Sequence, residues 1–177
     1  MKEKFTWDRL VRSSHWVVAF CVLANLFWLR PASTPHQALG YLAVALVLVR
    51  LTWSVLGASE PARFRDLIPT PKGLLRHIQE LKHREHRQNG HNHFGLLAIW
   101  LMWFCIAGLA FTGYHAANET ELLDKLYDKG YELDEIHGQI AWVLQAIVGL
   151  HVVAVILSSW WLKHDLVRPM IIKPRSR

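Results

Sequence analysis

The sequence contains few charged residues for its length. Asp, Glu, Lys and Arg make up 19% of the 177 residues, whereas 52% are hydrophobic, and long stretches carry almost no charge. This composition excludes an ordinary soluble domain and is typical of a chain that crosses a bilayer several times. The net charge of +6 comes from Lys and Arg residues that flank the apolar stretches. Because these residues form no stripe on a soluble face, we expect no nucleic-acid partner.

Cysteine is also scarce, and both cysteines lie inside apolar runs. Cys21 and Cys105 form no CxxC pair, and neither belongs to the CxxCH sequence that attaches a haem covalently. We interpret both as small core residues. Any haem in this protein must therefore be held without a covalent link.

Four hydrophobic stretches approach the roughly 17 to 25 residues that a transmembrane helix needs. Their approximate bounds are 14–30, 36–56, 94–114 and 137–162. Pro31 and Pro35 predict a tight turn between the first two stretches. Acidic Glu3 and Asp8 interrupt the basic N-terminus, so we expect a retained first span and not a cleaved signal peptide. Residues 1–177 are thus predicted to form one all-α domain, an integral membrane four-helix bundle.

The distribution of Lys and Arg predicts the orientation of this bundle. They concentrate in both terminal tails and in the connection 57–93, whereas the other side carries only Arg30, Lys125 and Lys129. By the positive-inside rule, both termini and the connection 57–93 are predicted to be cytoplasmic. The acidic segment 115–136 is then periplasmic. A bacterial inner membrane is the expected location.

Four histidines, His15, His36, His137 and His151, lie within or at the ends of the predicted spans. An ionisable residue in a membrane is costly, so it usually faces the bundle interior and marks a functional site. His137 and His151 share the last span. Their separation of fourteen residues puts them roughly 21 Å apart along the helix axis and within about 40° of one another around it. This spacing predicts two sites on one helix face.

The depths of the four histidines predict how they pair. His15 is at the cytoplasmic end of the first span and His151 lies deep in the last one, whereas His36 and His137 each open a span at the opposite face. Haem iron accepts two axial imidazoles, and helix bundles build such sites from facing helices. We therefore predict two haem b groups, held by His36 and His137 on the outer side and by His15 and His151 on the inner side. Zinc is disfavoured because each depth offers only two nitrogen ligands and no Cys, Asp or Glu beside them.

Several runs spread along the chain carry a further indication. They are WDRLVRSSHW from Trp7, HQALGY from His36, RLTWSVLG from Arg50, GHNHFG from Gly90, AFTGY from Ala110 and EIHGQIAWVLQAIVGLHVVAVIL from Glu135. Together they resemble the bacterial cytochrome b561 family, which includes the b-type cytochrome subunits of nickel-iron hydrogenases. The resemblance covers nearly the whole chain. It implies a four-helix di-haem cytochrome of the inner membrane, with axial ligands at His15, His36, His137 and His151.

The chain is shorter than the hydrogenase subunits, which usually carry an additional membrane segment. Its compact size is closer to the stand-alone bacterial members of the family. Superoxide oxidation coupled to quinone reduction is a known activity among those members. We therefore keep a superoxide:quinone oxidoreductase as an alternative function.

Two arginines are further candidates for haem binding. Arg12 lies one turn before His15, and Arg50 lies near the inner end of the second span. Either guanidinium could pair with a haem propionate. Anchoring at the membrane surface is the alternative for Arg12, and snorkelling is the alternative for Arg50. The loop histidines His83, His86, His91 and His93 invite a metal-binding interpretation, but no Cys or regular carboxylate pattern supports it, and we interpret them as solvated.

The predicted function is electron transfer between the quinone pool and a redox partner, with quinone-linked oxidoreductase activity as the enzymatic form. The expected partners are membrane lipid, a quinone, and a c-type cytochrome or a membrane-associated oxidoreductase. The acidic segment 115–136 could steer a basic partner or be a solvated loop. A histidine-dependent metal transporter and a structural anchor for a soluble redox enzyme are alternatives from other classes.

Overall fold

The computed structural model describes residues 7–58, 60–83, 93–118, 133–163 and 165–171. These residues form helices and turns and contain no strand, which confirms the all-α prediction. In chain order the elements are α1 (Arg9–Phe27), α2 (Thr34–Leu56), a 3₁₀ helix (Phe64–Leu67), α3 (Pro71–His83), α4 (His93–Asn118), α5 (Leu133–Trp161) and α6 (Arg168–Ile171).

Helices α1, α2, α4 and α5 are each long and apolar enough to cross a membrane, which confirms the prediction of four spans in a multi-pass membrane protein. Their bounds differ from the apolar windows by several residues. Helix α1 begins at Arg9 because the side chain of Asp8 accepts a hydrogen bond from the backbone N–H of Val11 at 2.8 Å and caps the helix. Helices α4 and α5 extend into polar sequence because backbone hydrogen bonds continue a helix beyond its apolar residues.

A short turn joins α1 to α2 and places His36 in the first turn of α2. Ser33 caps α2, and its hydroxyl accepts from the backbone N–H of His36 at 3.4 Å. Pro35 lies in the first helical turn, where a missing N–H costs nothing. The turn therefore fixes His36 at the same end of the bundle as the C-terminal end of α1.

The helices pack in the order α1 on α2, α2 on α4 and α4 on α5. The central core is a single cluster of buried side chains from all four spans: Cys21, Val22, Ala43, Val47, Ile106 and Leu144. Helices α1 and α5 are not among the closely packed pairs of described helices. The bundle is therefore open along the seam between α1 and α5.

Residues 57–83 fold against one end of the bundle instead of forming an open polar loop. Leu67 is only 1% exposed, and its carbonyl oxygen accepts a hydrogen bond from the indole of Trp100 on α4 at 2.8 Å. Helix α3 packs against the first part of α4. We call this end, with residues 7–8, 57–83 and 163–171, the basic side, and the opposite end the acidic side.

Candidate functional site

The first pair of histidines lies at the acidic side of the bundle. His36 in the first turn of α2 and His137 in the second turn of α5 have ring centroids 6.0 Å apart, with their planes inclined at 56°. Both side chains are half-buried. Two helices that are distant in sequence thus bring two imidazoles close together, with their planes tilted.

The separation of these two rings suits a shared metal ion. If each coordinating nitrogen lies about 2 Å from the metal and about 1 Å from its own ring centroid, the two centroids stand roughly 6 Å apart. The 6.0 Å between His36 and His137 fits this requirement. The donor set, two imidazoles with no third ligand, suits a haem iron, whose other four positions are taken by the macrocycle.

Helix α4 holds the ring of His137 in place. The hydroxyl of Thr112 lies 2.8 Å from the carbonyl oxygen of Gly108 and 3.0 Å from Nδ1 of His137. The ring also hydrogen-bonds the backbone of Leu109. Gly113 lies beneath the ring, and a Cβ there would be 3.2 Å from Cε1 of His137. The absent side chain at Gly113 therefore makes room for the imidazole.

Helix α1 supplies the polar neighbour of His36. With its amide turned so that both ends find partners, Asn25 donates from Nδ2 to the backbone oxygen and to Nδ1 of His36, each at 3.2 Å. Its Oδ1 accepts from the backbone N–H of Gly40 at 3.2 Å. A polar side chain in the last turn of α1 is thus satisfied by His36 and by the backbone of the first turns of α2.

The second pair of histidines lies on the open seam of the bundle. His15 on α1 and His151 on α5 are close enough to interact electrostatically. His15 is exposed and His151 is half-buried, because α1 and α5 do not pack tightly at this level. Neither imidazole is enclosed by the packed core, so both could reach a cofactor held between α1 and α5.

The two predicted arginines lie in different surroundings. Arg12 lines a cleft of about 310 Å³ at the basic side, and its buried Nε has no hydrogen-bond partner. The other residues that line this cleft are Arg9, Ser13, Trp16, Met170 and Ile171. Arg50 is buried, donates to the carbonyl oxygen of Ala62 at 3.5 Å and interacts with Asp8. Arg50 is therefore engaged with the polypeptide, whereas Arg12 keeps a free hydrogen-bonding group.

A buried polar cluster on α3 was not anticipated from the sequence. His77 and Glu80 are 5% and 6% exposed, and Nδ1 of His77 lies 3.6 Å from Oε2 of Glu80. The ring of His93 covers Gly73. His93 is therefore packed against α3, whereas the sequence predicted a solvated side chain. The only indication of this pair in the sequence was the spacing of three residues, which places His77 and Glu80 on the same face of a helix. Among the described residues, no group of three or more side chains could hold a metal ion.

Other predicted features lie outside the described residues. These are His86, His91 and the acidic segment from 119 to 132. His83 is described and exposed, as expected for a solvated loop histidine.

Comparison with known proteins identifies one family. The family described as prokaryotic cytochrome b561 matches residues 6–173, nearly the whole chain. No curated protein and no solved structure matches the chain.

Proposed function

The chain belongs to the prokaryotic cytochrome b561 family, and from that membership we propose that it carries electrons through two bis-histidine haems between a quinone and a redox partner. Membership makes it a membrane b-type cytochrome that binds haem b and takes part in electron transfer. The number of haems, their ligands, the quinone and the partner are the proposed part. We place it in the bacterial inner membrane, with the basic side in the cytoplasm, because Lys and Arg concentrate there.

The observation that carries the proposal is the geometry of His36 and His137. Their 6.0 Å separation supports coordination of one iron between α2 and α5. The second iron is assigned to His15 and His151, which interact across the open seam. Haem iron, when bound, exchanges one electron at a time, at a potential set by its ligands, burial and nearby charge.

The chain's own residues would hold and surround the cofactors. The four imidazoles would supply nitrogen ligands to iron, and the apolar core between the two pairs, around Leu144, would keep water away. The guanidinium of Arg12 would pair with a propionate of the inner haem, since its Nε is buried and free. Arg50 is a weaker candidate for that role because its contacts are already within the chain.

The quinone is assigned to a groove of about 500 Å³ on the lipid-facing side of α5. Its lining is apolar except for Gln145, and the other residues are Trp142, Ala146, Gly149, Leu150 and Val153. Gln145 lies between His137 and His151 along the helix, so a quinone there would be within one helix diameter of a haem. The amide of Gln145 could donate a hydrogen bond to a quinone carbonyl oxygen.

The redox partner is assigned to the acidic side. The acidic residues between 119 and 135 would steer a partner with a basic rim, such as a c-type cytochrome. The acidic charge of this part of the sequence is what supports a basic partner. Association that weakens as salt is added would agree with it.

The test is the spectrum of the purified protein and its histidine variants. We expect b-type absorption bands on reduction and about two haems per chain, since each bis-histidine pair holds one iron. His36→Ala and His137→Ala should lose the same haem, whereas His15→Ala and His151→Ala should lose the other. Folded protein without colour would reject the proposal and favour a metal transporter or a structural anchor. Loss of one haem by His36→Ala and of the other by His137→Ala would reject the pairing.

A second measurement tests the quinone groove. Gln145→Leu should slow electron exchange with an added quinol while both haem spectra stay unchanged. Gln139→Leu, on the same helix near its start, is the control, because Gln139 is exposed and outside the groove. Equal rates in the two variants would argue against the groove. Superoxide oxidation can be assayed on the same samples with quinone as the acceptor.

A further inference from the structure

We propose that Thr112 and Asn25 are positioning residues for the outer pair of histidines and set the potential of the haem between them. This inference rests on the proposed ligation by His36 and His137. Both residues lie on helices that supply no ligand to this pair, Asn25 on α1 and Thr112 on α4. Each contacts Nδ1 of one histidine.

The hydroxyl of Thr112 selects the tautomer of His137. A threonine hydroxyl has one hydrogen, and we assign it to the carbonyl oxygen of Gly108, which is the nearest acceptor at 2.8 Å. The hydroxyl therefore accepts at its 3.0 Å contact with His137, so Nδ1 of the ring carries the hydrogen. The lone pair is then on Nε2, the nitrogen that must face the iron. A hydrogen bond from the ring to the backbone carbonyl oxygen of Leu109 holds the ring in the same orientation.

Asn25 has the corresponding place beside His36, but its amide can present either end. Without a ligand on Nε2, Nδ2 of Asn25 donates to Nδ1 of His36. When iron binds Nε2, Nδ1 carries the hydrogen, and only the oxygen of the amide can face it. Half a turn of the amide supplies that oxygen, and it gives up the bonds to the carbonyl oxygen of His36 and from the N–H of Gly40. Asn25 can therefore adapt to either tautomer of His36, whereas Thr112 favours one tautomer of His137.

Hydrogen bonds of this kind raise the basicity of a histidine ligand and fix its ring plane, and losing one typically weakens metal binding about 10- to 100-fold. In the holoprotein, Thr112→Val should raise the potential of the haem that His137→Ala loses. It should also speed release of that haem to apomyoglobin by about tenfold or more. The low-spin EPR signal of that haem should move, because it depends on the angle between the two imidazole planes. Thr112→Ser should restore wild-type values.

A matched control is available on α2. The hydroxyl of Thr52 donates to the carbonyl oxygen of Leu48 at 2.9 Å, as the hydroxyl of Thr112 does to that of Gly108. Within the part of the chain that the structure describes, Thr52 hydrogen-bonds no histidine. Thr52→Val should leave both potentials unchanged. Asn25→Leu should shift the same haem as Thr112→Val, and Asn25→Asp should lower its potential, because a carboxylate is a stronger acceptor.

The outcomes separate this inference from the proposed function. If Thr112→Val binds two haems with wild-type potentials and EPR signals, the positioning role is overturned while the cytochrome assignment stands. A change of potential confined to the haem of His15 and His151 would also overturn the positioning role. If the wild-type protein binds no haem, the proposed function fails, and this inference fails with it.

We also infer, from a separate observation, that α3 lies in the membrane surface and binds anionic phospholipid. One face of α3 is apolar yet uncovered, with Leu75 63% and Ile78 51% exposed. Another face carries the exposed basic residues Lys72 and Arg76. The third, with His77 at its centre, packs against α4.

The position of α3 identifies what covers its apolar face. The helix packs at the beginning of a membrane span, so it lies at the level where acyl chains meet headgroups. An amphipathic helix with basic residues beside an apolar face is the arrangement that binds a lipid surface. The apolar residues would enter the acyl region, and the basic ones would contact lipid phosphates.

Spin labels test this placement in liposomes. In a chain with Cys21 and Cys105 replaced by Ala, a label at Ile78→Cys should be accessible to oxygen and protected from a water-soluble nickel complex. A label at Gln79→Cys, one residue further and exposed, should show the reverse. Nickel access at both positions would overturn the placement. Replacing phosphatidylglycerol by phosphatidylcholine should loosen the label at Ile78→Cys, and no change would overturn the contact with anionic headgroups.

Discussion

At the scale of single residues, the outer histidine pair depends on small features of neighbouring helices. Gly113 leaves space for the ring of His137, and Thr112 holds its Nδ1. Neither residue is a candidate ligand. Both act by limiting where an imidazole can be and which nitrogen it presents.

Gly113→Val should displace the ring of His137. A Cβ at this position would already lie 3.2 Å from the ring, and a branched side chain adds further overlap. We expect about half of the haem to be lost, since only one of the two proposed sites is affected. Gly138→Val is the matched control, because nothing lies within 4 Å of a Cβ there. Equal haem contents in the two variants, measured as pyridine haemochrome, would contradict this account.

Arg12 and Arg50 should respond differently to replacement by Ala. Arg50→Ala removes a buried partner of Ala62 and Asp8, so it should lower the free energy of unfolding by about 1 to 3 kcal/mol. Arg12→Ala should change the potential of the haem assigned to His15 with little effect on stability. Thermal unfolding in detergent and redox titration separate the two effects. A changed haem potential in Arg50→Ala, with stability intact, would assign the propionate to Arg50 instead.

At the scale of elements, the segment 57–83 behaves as part of the folded bundle. The 3₁₀ helix buries Leu67 beneath α4, and the indole of Trp100 donates to its carbonyl oxygen. Helix α3 is held by contacts of its polar face with α4, while its apolar side chains face outward. An apolar face exposed beside a membrane span marks an interaction surface, and lipid is the partner that we propose for it.

Leu67→Ala should loosen this segment. Truncating a fully buried leucine typically costs about 2 to 5 kcal/mol, because a cavity remains where the side chain was. Ile68→Ala, at a neighbouring position that is 46% exposed, should cost less than about 1 kcal/mol. We expect limited proteolysis to cleave residues 57–83 faster in Leu67→Ala than in Ile68→Ala. Equal cleavage rates would show that the segment is not held by Leu67.

At the scale of the whole molecule, four spans place the beginning of α1 and the end of α5 on one side and the beginning of α5 on the other. The two histidine pairs then lie at different depths, so electrons would cross much of the bilayer between them. The direction of crossing relative to the cell depends on the orientation. By the distribution of Lys and Arg, the basic side is predicted to be cytoplasmic.

Labelling of single cysteines tests this orientation. In the chain without Cys21 and Cys105, a cysteine in place of the exposed Arg65 should react with an impermeant maleimide only in inverted membrane vesicles. A cysteine in place of the exposed Asn118 should react from outside in spheroplasts. The opposite pattern would reverse the orientation and with it the assignment of the acidic side to the periplasm.

The sequence by itself determined the class of fold and the number of spans, and it predicted the depth of each histidine. These follow from quantities that need no tertiary contacts: the length of an apolar stretch, the rise per residue of a helix and the cost of charge in a membrane. The helix bounds differed from the predicted spans by several residues, because capping by Asp8 and the continuation of helices into polar sequence depend on local hydrogen bonds. The burial of His77 and Glu80 was also hidden, since composition alone predicted only a polar connection.

Only the tertiary structure decided which groups surround each imidazole. Thr112, Gly113 and Asn25 belong to helices whose rotation about their own axes is set by packing against neighbours, and composition leaves that rotation open. The same holds for Arg50, which packing turned toward Ala62 and away from solvent. Depth in the membrane is a property of one helix, whereas a hydrogen bond to a histidine is a property of two.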